Sequence, residues 1–334
     1  MDLKTLCELN GPSGNEQPVR KYILEEAKKL CEDVRIDRMG NVICKKKGKN
    51  PDAPHVALSA HMDEVGFIVW GHTEDGMLRI RPIGGIDPRV VVSKWVLVNG
   101  ETPGIIGAKA IHLQTREDRQ KLLNFSSLYI DIGAKNKEEA MEKAPLASYA
   151  SFVSNYEEFG EGFVVSKALD DRVGCYNLLR ILKNDYPCDI SVCFVNQEEV
   201  GLRGSTTAAY LVDADIAVVL EGTACNDLGD TPENQHILTP GEGVAVSFMD
   251  RASIADRDLF NSMLNIAKEH NIKAQVKRGV TGGNDATSFQ LARGGAKTIV
   301  LSVPCRYIHS PSSVCNLSDV DSQYALADAF LNTL

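Results

Sequence analysis

The sequence lacks three features that would narrow its class at once. No apolar run is long enough to span a bilayer, and the first residues lack the basic and then apolar pattern of a secretory signal. The nine cysteines have neither the spacing of a metal site nor that of a disulfide framework. We therefore expect a cytoplasmic protein with no membrane partner, whose thiols are reduced and mostly buried.

Basic residues are also scarce relative to acidic ones. The chain carries 36 Lys and Arg against 45 Asp and Glu, which gives a formal net charge of -9. This balance argues against a nucleic-acid partner, and we expect the one basic cluster, Lys45-Lys46-Lys47, to be a solvated turn. With 334 residues, 43% of them hydrophobic, the chain can form one large globular domain and a smaller one.

Four short apolar runs have the length and composition of strands that are buried on both faces of an α/β sheet. They cover residues 56–60, 190–195, 216–220 and 298–303. Helical periodicity lies between or after them, at 203–212, 256–269 and 318–333, with Ser318 as the predicted N-cap of the last helix. The fold class expected is α/β, with a mixed, largely parallel sheet flanked by helices.

A histidine or a carboxylate follows each of these four strands. The residues concerned are His61, Glu198, Glu199, Glu221 and His309. In open α/β sheets, ligands bind outside the carboxyl ends of the strands, so these side chains are expected to share one site. Taken singly, each has a structural or surface explanation; their common placement favours a functional one.

Residues 67–162 have a different character. Glycines and prolines punctuate short β-like runs such as 94–98, which indicates a small β-rich domain. Because this segment separates the first part of the predicted site from the rest, we interpret it as an insertion. The predicted division is a discontinuous domain of residues 1–66 and 163–334, interrupted by the inserted domain of residues 67–162.

The pair Asp170-Asp171 opens a run with helical spacing. Acidic residues are common in the first turn of a helix, so a simple helix start is one interpretation. The other is that one of the two carboxylates bridges two metal ions, since its two oxygens can bind separate cations. Imidazoles and carboxylates together suit zinc, cobalt or manganese. Glu198 and Glu199 could then divide the roles of base and ligand, and Asp63 could accept the second ring N–H of His61.

Five segments together resemble the M42 family of metallo-aminopeptidases, the glutamyl and tetrahedral aminopeptidase group. They are residues 59–67, 167–172, 197–201, 282–286 and 304–310. The resemblance extends over nearly the whole chain. It implies a zinc-peptidase-like α/β fold whose insertion is a dimerisation domain, and an enzyme that hydrolyses N-terminal residues from short peptides.

The resemblance also implies individual roles. One of two divalent metal ions would be bound by His61, Asp170 and Glu221, and the other by Asp170, Glu199 and His309. Glu198 would be the general base and Asp63 would orient His61. A cis peptide is expected between Asp170 and Asp171. Asn284 stands where relatives more often have Thr. Relatives form homo-oligomers, commonly dodecamers built from dimers.

Two other functions stay open at this point. Some relatives have been called endoglucanases, although glycosidases typically use two carboxylates without a metal. A metal-stabilised assembly protein without activity would not need the free base that Glu198 provides. The preferred N-terminal residue, the native metal and the choice between dimer and dodecamer cannot be derived from the sequence.

Overall fold

The computed structural model describes residues 2–153 and 155–334. The helices in these ranges are α1 (Leu3–Glu8), α2 (Gln17–Ala27), α3 (Arg116–Gln120), α4 (Lys137–Lys143), α5 (Leu169–Ile181), α6 (Arg203–Val212), α7 (Arg257–Glu269), α8 (Ala286–Leu291) and α9 (Leu317–Asn332). The strands are β1 (Asp33–Ile36), β2 (Val42–Lys46), β3 (Val56–His61), β4 (Gly66–His72), β5 (Leu78–Ile83), β6 (Trp95–Val98), β7 (Thr102–Gly107), β8 (Tyr129–Asp131), β9 (Tyr149–Phe152), β10 (Glu157–Phe159), β11 (Phe163–Ser166), β12 (Ile190–Val195), β13 (Ile216–Ala224), β14 (Val244–Ser247), β15 (Ala274–Lys277), β16 (Lys297–Cys305) and β17 (Ser313–Asn316).

An eight-stranded mixed sheet forms the centre of the larger part of the molecule. Its strand order is β1-β2-β12-β3-β13-β16-β14-β15. The four neighbouring strands β12, β3, β13 and β16 are parallel to one another, whereas β2 and β14 flank them in the antiparallel direction. The predicted α/β class with a largely parallel central sheet is therefore confirmed.

Helices cover both faces of this sheet, which explains its continuous apolar strands. On β3, Val56, Leu58 and Ala60 face a core shared with α2, α5, α7 and α9. Ala57, between them, belongs to a second core shared with α6 and α8. Because successive side chains of a strand point to opposite faces, both sets must be apolar.

The inserted segment forms a closed antiparallel barrel with the strand order β4-β5-β8-β7-β6-β9. It has a hydrophobic core of its own, in which the rings of Phe67 and Phe152 pack edge to face at 5.2 Å. The predicted β-rich character is confirmed. Strand β10 pairs with β11, which in turn pairs with β17 outside the barrel. The boundaries at 66/67 and 162/163 stay a prediction.

Three local predictions were wrong in detail. The last helix is capped by Asn316, whose Oδ1 accepts from the Ser318 N–H at 2.9 Å, because the helix begins one residue before Ser318. Strand β13 continues past Leu220 to Ala224, since its pairing with β16 extends that far. Lys45 and Lys46 belong to β2, and only Lys47 lies outside the strand.

Every cysteine lies within the described ranges and carries a free thiol. Eight of the nine are buried, as predicted, and Cys225 is partly exposed. None of the helices in the described ranges combines the length and the apolar character that a bilayer crossing requires.

Candidate active site

The predicted residues come together at one edge of the main sheet. His61 is the last residue of β3, and Glu198 and Glu199 lie three and four residues after β12. Glu221 lies inside β13, and His309 follows β16 by four residues. Since these four strands are adjacent and parallel, their carboxyl ends meet at the same edge. The five side chains predicted at strand ends therefore become neighbours, together with Asp170 from the start of α5.

Asp170 stands between two pairs of side chains, each consisting of a histidine and a glutamate. Its Oδ1 lies 3.4 Å from His61 Nε2, and that nitrogen lies 3.6 Å from Glu221 Oε2. Its Oδ2 lies 3.5 Å from His309 Nε2, which lies 3.2 Å from Glu199 Oε1. Each oxygen of one carboxylate thus faces a different histidine–glutamate pair.

Two carboxylate oxygens of this cluster lack a hydrogen bond among the described residues. Within the described ranges, Asp170 Oδ1 and Glu221 Oε1 are buried without a hydrogen bond. Burying a carboxylate oxygen unpaired is unfavourable unless a cation or a donor satisfies it. Imidazole nitrogens and carboxylate oxygens at this spacing are a suitable donor set for zinc and related ions. The residues present therefore fit divalent metal ions.

The charges in the cluster respond strongly to one another. Burial would lower the pKa of His309, but hydrogen bonding to Asp170 and Glu199 outweighs it and raises that pKa to about 11. Burial would raise the pKa of Asp170, but the two histidines outweigh it and lower that pKa. For Glu221, burial dominates and raises the pKa. Several carboxylates close together repel one another, and bound cations would reduce this repulsion.

The backbone of β13 allows Asp170 to approach. A Cβ atom added at Gly222 would lie 3.0 Å from Asp170 Cα and 3.1 Å from its Oδ1. A larger residue after Glu221 would therefore push the aspartate away. The predicted cis peptide between Asp170 and Asp171 is present. Both residues depart from helical φ and ψ, so the regular part of α5 begins after them.

Asp171 is as close to the cluster as Asp170 but has different partners. One of its oxygens lies in a group with His61 and Glu221 that could hold a metal ion. However, its Oδ2 accepts from the His61 main-chain N–H at 3.1 Å, and its Oδ1 accepts from the Gly174 N–H at 3.0 Å. Both oxygens are thus already bonded, and this residue holds β3 against α5.

Asp63 has a larger role than the one predicted for it. The nearest acceptor for His61 Nδ1 is the main-chain carbonyl of Asp63 at 3.1 Å, whereas its carboxylate is 3.5 Å away. That carboxylate also accepts from the main-chain N–H groups of Glu198 at 3.0 Å and Glu199 at 3.2 Å. One buried aspartate therefore fixes the loop that carries both glutamates.

Glu198 lines the same cavity as the metal-binding candidates, and burial raises its pKa. The cavity has a volume of about 680 Å³ and opens beside the cluster. A carboxylate with a raised pKa is better suited than an ordinary one to take up and release a proton.

Sequence reasoning missed two residues near the site. Lys277 lies in the cavity wall, mostly buried, and donates to Thr223 Oγ1 at 2.8 Å. Asp285 is fully buried, and burial raises its pKa to about 6. Lys277 ends a short edge strand without an apolar run, so no pattern pointed to it. Asp285 lies in the segment 282–286, but no role was predicted for it.

Comparisons of the sequence with a family profile and with known proteins both point to aminopeptidases. The sequence profile described as M42 glutamyl aminopeptidase matches residues 40–326. A putative aminopeptidase of Acetivibrio thermocellus is 35% identical over 327 residues, which cover 97% of this chain and 96% of that one. The lysyl aminopeptidase of Pyrococcus furiosus is 30% identical over 341 residues, which cover 99% and 96% of the two chains.

Among the solved structures with the same fold, some are named peptidases and one is named an endoglucanase. A TET aminopeptidase from a marine sediment thaumarchaeon superposes with a TM-score of 0.95 at 31% identity, covering 99% of this chain and 95% of that one. The TET1 peptidase of Pyrococcus horikoshii, described as assembling into a tetrahedron or a large octahedral shell, gives 0.88 at 32% identity, with 99% and 98% covered. A Thermotoga maritima protein named endoglucanase gives 0.83 at 32% identity, with 100% and 97% covered.

Proposed function

The chain belongs to the M42 family of aminopeptidases, and we propose that it removes N-terminal residues from short peptides with two divalent metal ions, Glu198 being the general base. Enzymes of this family are metal-dependent peptide-bond hydrolases of the exopeptidase class. The metal count, the ligand set and the base belong to the proposal.

The position of Asp170 supports the dinuclear site most directly. Its two oxygens face two different histidine–glutamate pairs, at 3.4 Å from His61 Nε2 and 3.5 Å from His309 Nε2. In the proposal, His61, Asp170 and Glu221 bind one ion, and Asp170, Glu199 and His309 bind the other. Zinc fits this donor set, with cobalt and manganese as alternatives.

The protein groups then act on the substrate and on one proton. Bound divalent ions would supply an acidified water and polarise the scissile carbonyl. Glu198 takes up a proton at its carboxylate and returns it to the leaving amine, for which its raised pKa is suitable. The Asp63 carboxylate accepts from the main-chain N–H groups of Glu198 and Glu199. It thereby fixes the position of the base relative to the neighbouring ligand.

Chelation and reconstitution test this function against its two alternatives. Aminoacyl-p-nitroanilides should be hydrolysed by the isolated protein, lose that hydrolysis after treatment with a chelator, and regain it on addition of Zn²⁺, Co²⁺ or Mn²⁺. Hydrolysis of a soluble cellulose substrate that survives chelation would favour an endoglucanase. Metal binding without hydrolysis of either substrate would favour an assembly protein.

We further propose that the barrel is a dimerisation domain, so that the protein is a homo-oligomer, either a dimer or a dodecamer built from dimers. Several large apolar side chains of the barrel and its loops are exposed, among them Trp70, Trp95, Ile111, Leu113 and Leu122. Where such side chains form one contiguous exposed patch, the patch is characteristic of a contact surface. Light scattering at micromolar concentration should detect an oligomer, and Trp95→Lys or Leu122→Glu should reduce its size. A monomeric wild-type protein would contradict this role.

A further inference from the structure

The loop that follows β5 of the barrel reaches into the candidate active site. Gly84 and Gly85, called here the Gly84–Gly85 turn, come directly after the last residue of β5, Ile83. The carbonyl oxygen of Gly85 accepts from His309 Nδ1 at 2.8 Å. These two residues are 224 positions apart in the chain. The inserted barrel therefore contacts a proposed metal ligand directly, through its main chain.

This hydrogen bond determines which ring nitrogen of His309 is free. When Nδ1 carries the proton and donates to a carbonyl, Nε2 is the unprotonated nitrogen that can bind a cation. Nε2 is the atom that faces Glu199 Oε1 at 3.2 Å and Asp170 Oδ2 at 3.5 Å. The Gly85 carbonyl thus selects both the tautomer and the direction of the imidazole.

The same turn also packs against Glu199. Gly84 has φ +81, and a Cβ atom added there would lie 2.7 Å from Val65 Cγ1 and 3.3 Å from both Cβ and Oε2 of Glu199. A Cβ atom added at Gly85 would lie 3.4 Å from His309 Nδ1. A side chain at Gly84 would therefore force Val65 and Glu199 to shift, and a side chain larger than a methyl group at Gly85 would press on the His309 ring. His61 and Glu221, on the other side of Asp170, are not among the atoms nearest to the turn.

We propose that the Gly84–Gly85 turn is a positioning element for one half of the metal centre, the half formed by His309 and Glu199. The barrel then has two tasks: it provides contact surface, and it orients the ligands of one metal ion. This inference rests on the proposed dinuclear function. It predicts an asymmetric effect, in which disturbing the turn weakens binding of one ion and leaves the other in place.

Gly84→Ala in the full-length protein is the principal test, and the chain offers a matched control. Gly100, in the same barrel, has a similar φ of +77, but a Cβ atom added there would meet no atom within 4 Å. Gly100→Ala therefore reproduces the backbone penalty without touching the site. Gly85→Val is a second variant, at a position without a positive φ, and its larger side chain would press on His309; it serves as the test if Gly84→Ala fails to fold.

Zn²⁺ per subunit should be measured by elemental analysis across a range of free Zn²⁺. Wild type and Gly100→Ala should hold two equivalents. Gly84→Ala and Gly85→Val should keep one equivalent and bind the second about 10–100-fold more weakly, the usual effect of disturbing the groups that orient a metal ligand. Nitrogen-15 NMR of the proteins saturated with Zn²⁺ should report His309 protonated at Nδ1 in wild type and a weaker Nδ1–H hydrogen bond in Gly85→Val.

The outcomes separate this inference from the proposed function. If wild type binds two ions and hydrolyses aminoacyl substrates while all three variants do the same, the positioning role is wrong and the function stands. Equal weakening in Gly84→Ala and Gly100→Ala would also overturn the positioning role, because it would reflect general backbone strain. If wild type binds fewer than two ions, the dinuclear proposal itself fails.

Discussion

Glu198→Gln is the most informative single substitution, because it removes a proton acceptor and almost nothing else. The side chain keeps its size, and the main chain at this position is held by the Asp63 carboxylate, which accepts from the Glu198 N–H at 3.0 Å and the Glu199 N–H at 3.2 Å. Neither of those hydrogen bonds depends on the Glu198 carboxylate. We therefore expect unchanged folding and full metal content.

The expected loss of turnover follows from the role of the residue. General acid–base assistance is typically worth about 10²–10⁴-fold, which corresponds to about 3–5.5 kcal/mol of transition-state stabilisation. Because the amide cannot take up a proton at neutral pH, the loss should appear in kcat and to a smaller extent in KM.

In the assay, kcat and KM for an aminoacyl-p-nitroanilide and the metal content per subunit are measured on the same protein sample. Glu199→Gln is the matched control: it is the neighbouring residue and the same chemical change, but it should lose one metal ion, since its Oε1 faces His309 Nε2 at 3.2 Å. A metal-loaded Glu198→Gln enzyme with wild-type kcat would refute the assignment of the base.

Two further predictions address the ligands and the cavity. Asp170→Ala should lower metal content at both sites and His309→Ala mainly at one, as measured by elemental analysis; two retained ions in Asp170→Ala would exclude a bridging role. Lys277, whose ammonium group lies in the cavity wall and donates to Thr223 Oγ1, should favour substrates with an acidic first residue. Lys277→Met should lower the ratio of kcat/KM for glutamyl over lysyl p-nitroanilide about tenfold or more, given about 1.5–3 kcal/mol for a charged hydrogen bond; an unchanged ratio would contradict this.

The convergence of the candidate site could be predicted because it depends on local signals and one topological rule. An apolar run followed by a histidine or acid identifies a strand end, and parallel neighbours bring such ends together. His61, Glu198, Glu199 and His309 follow this rule. Glu221 is the exception, since it lies inside β13, where the strand continues to pair with β16 beyond the apolar run.

Contacts made through the main chain could not be predicted in the same way. The Gly85 carbonyl meets His309 across 224 residues, and the Asp63 carboxylate meets the Glu198 N–H across 135. Neither contact requires a particular side chain at both ends, so neither leaves a residue pattern in one sequence. Such contacts depend on how the barrel docks against the sheet, which only the folded chain determines.

The adjacent residues Asp170 and Asp171 illustrate the same limit at the centre of the site. Both are aspartates in a helix-like run, and their sequence context does not distinguish them. In the folded protein, both oxygens of Asp171 accept from main-chain N–H groups, whereas Asp170 Oδ1 has no hydrogen-bond partner in the described ranges. Burial raises the pKa of Asp171, and the histidines lower that of Asp170 despite its burial. A carboxylate that stays ionised beside two imidazoles and has an oxygen without a hydrogen bond is the better candidate for binding a cation than one whose oxygens both accept from main-chain N–H groups. The chemical difference between the two neighbours therefore comes from the donors around them rather than from the residues themselves.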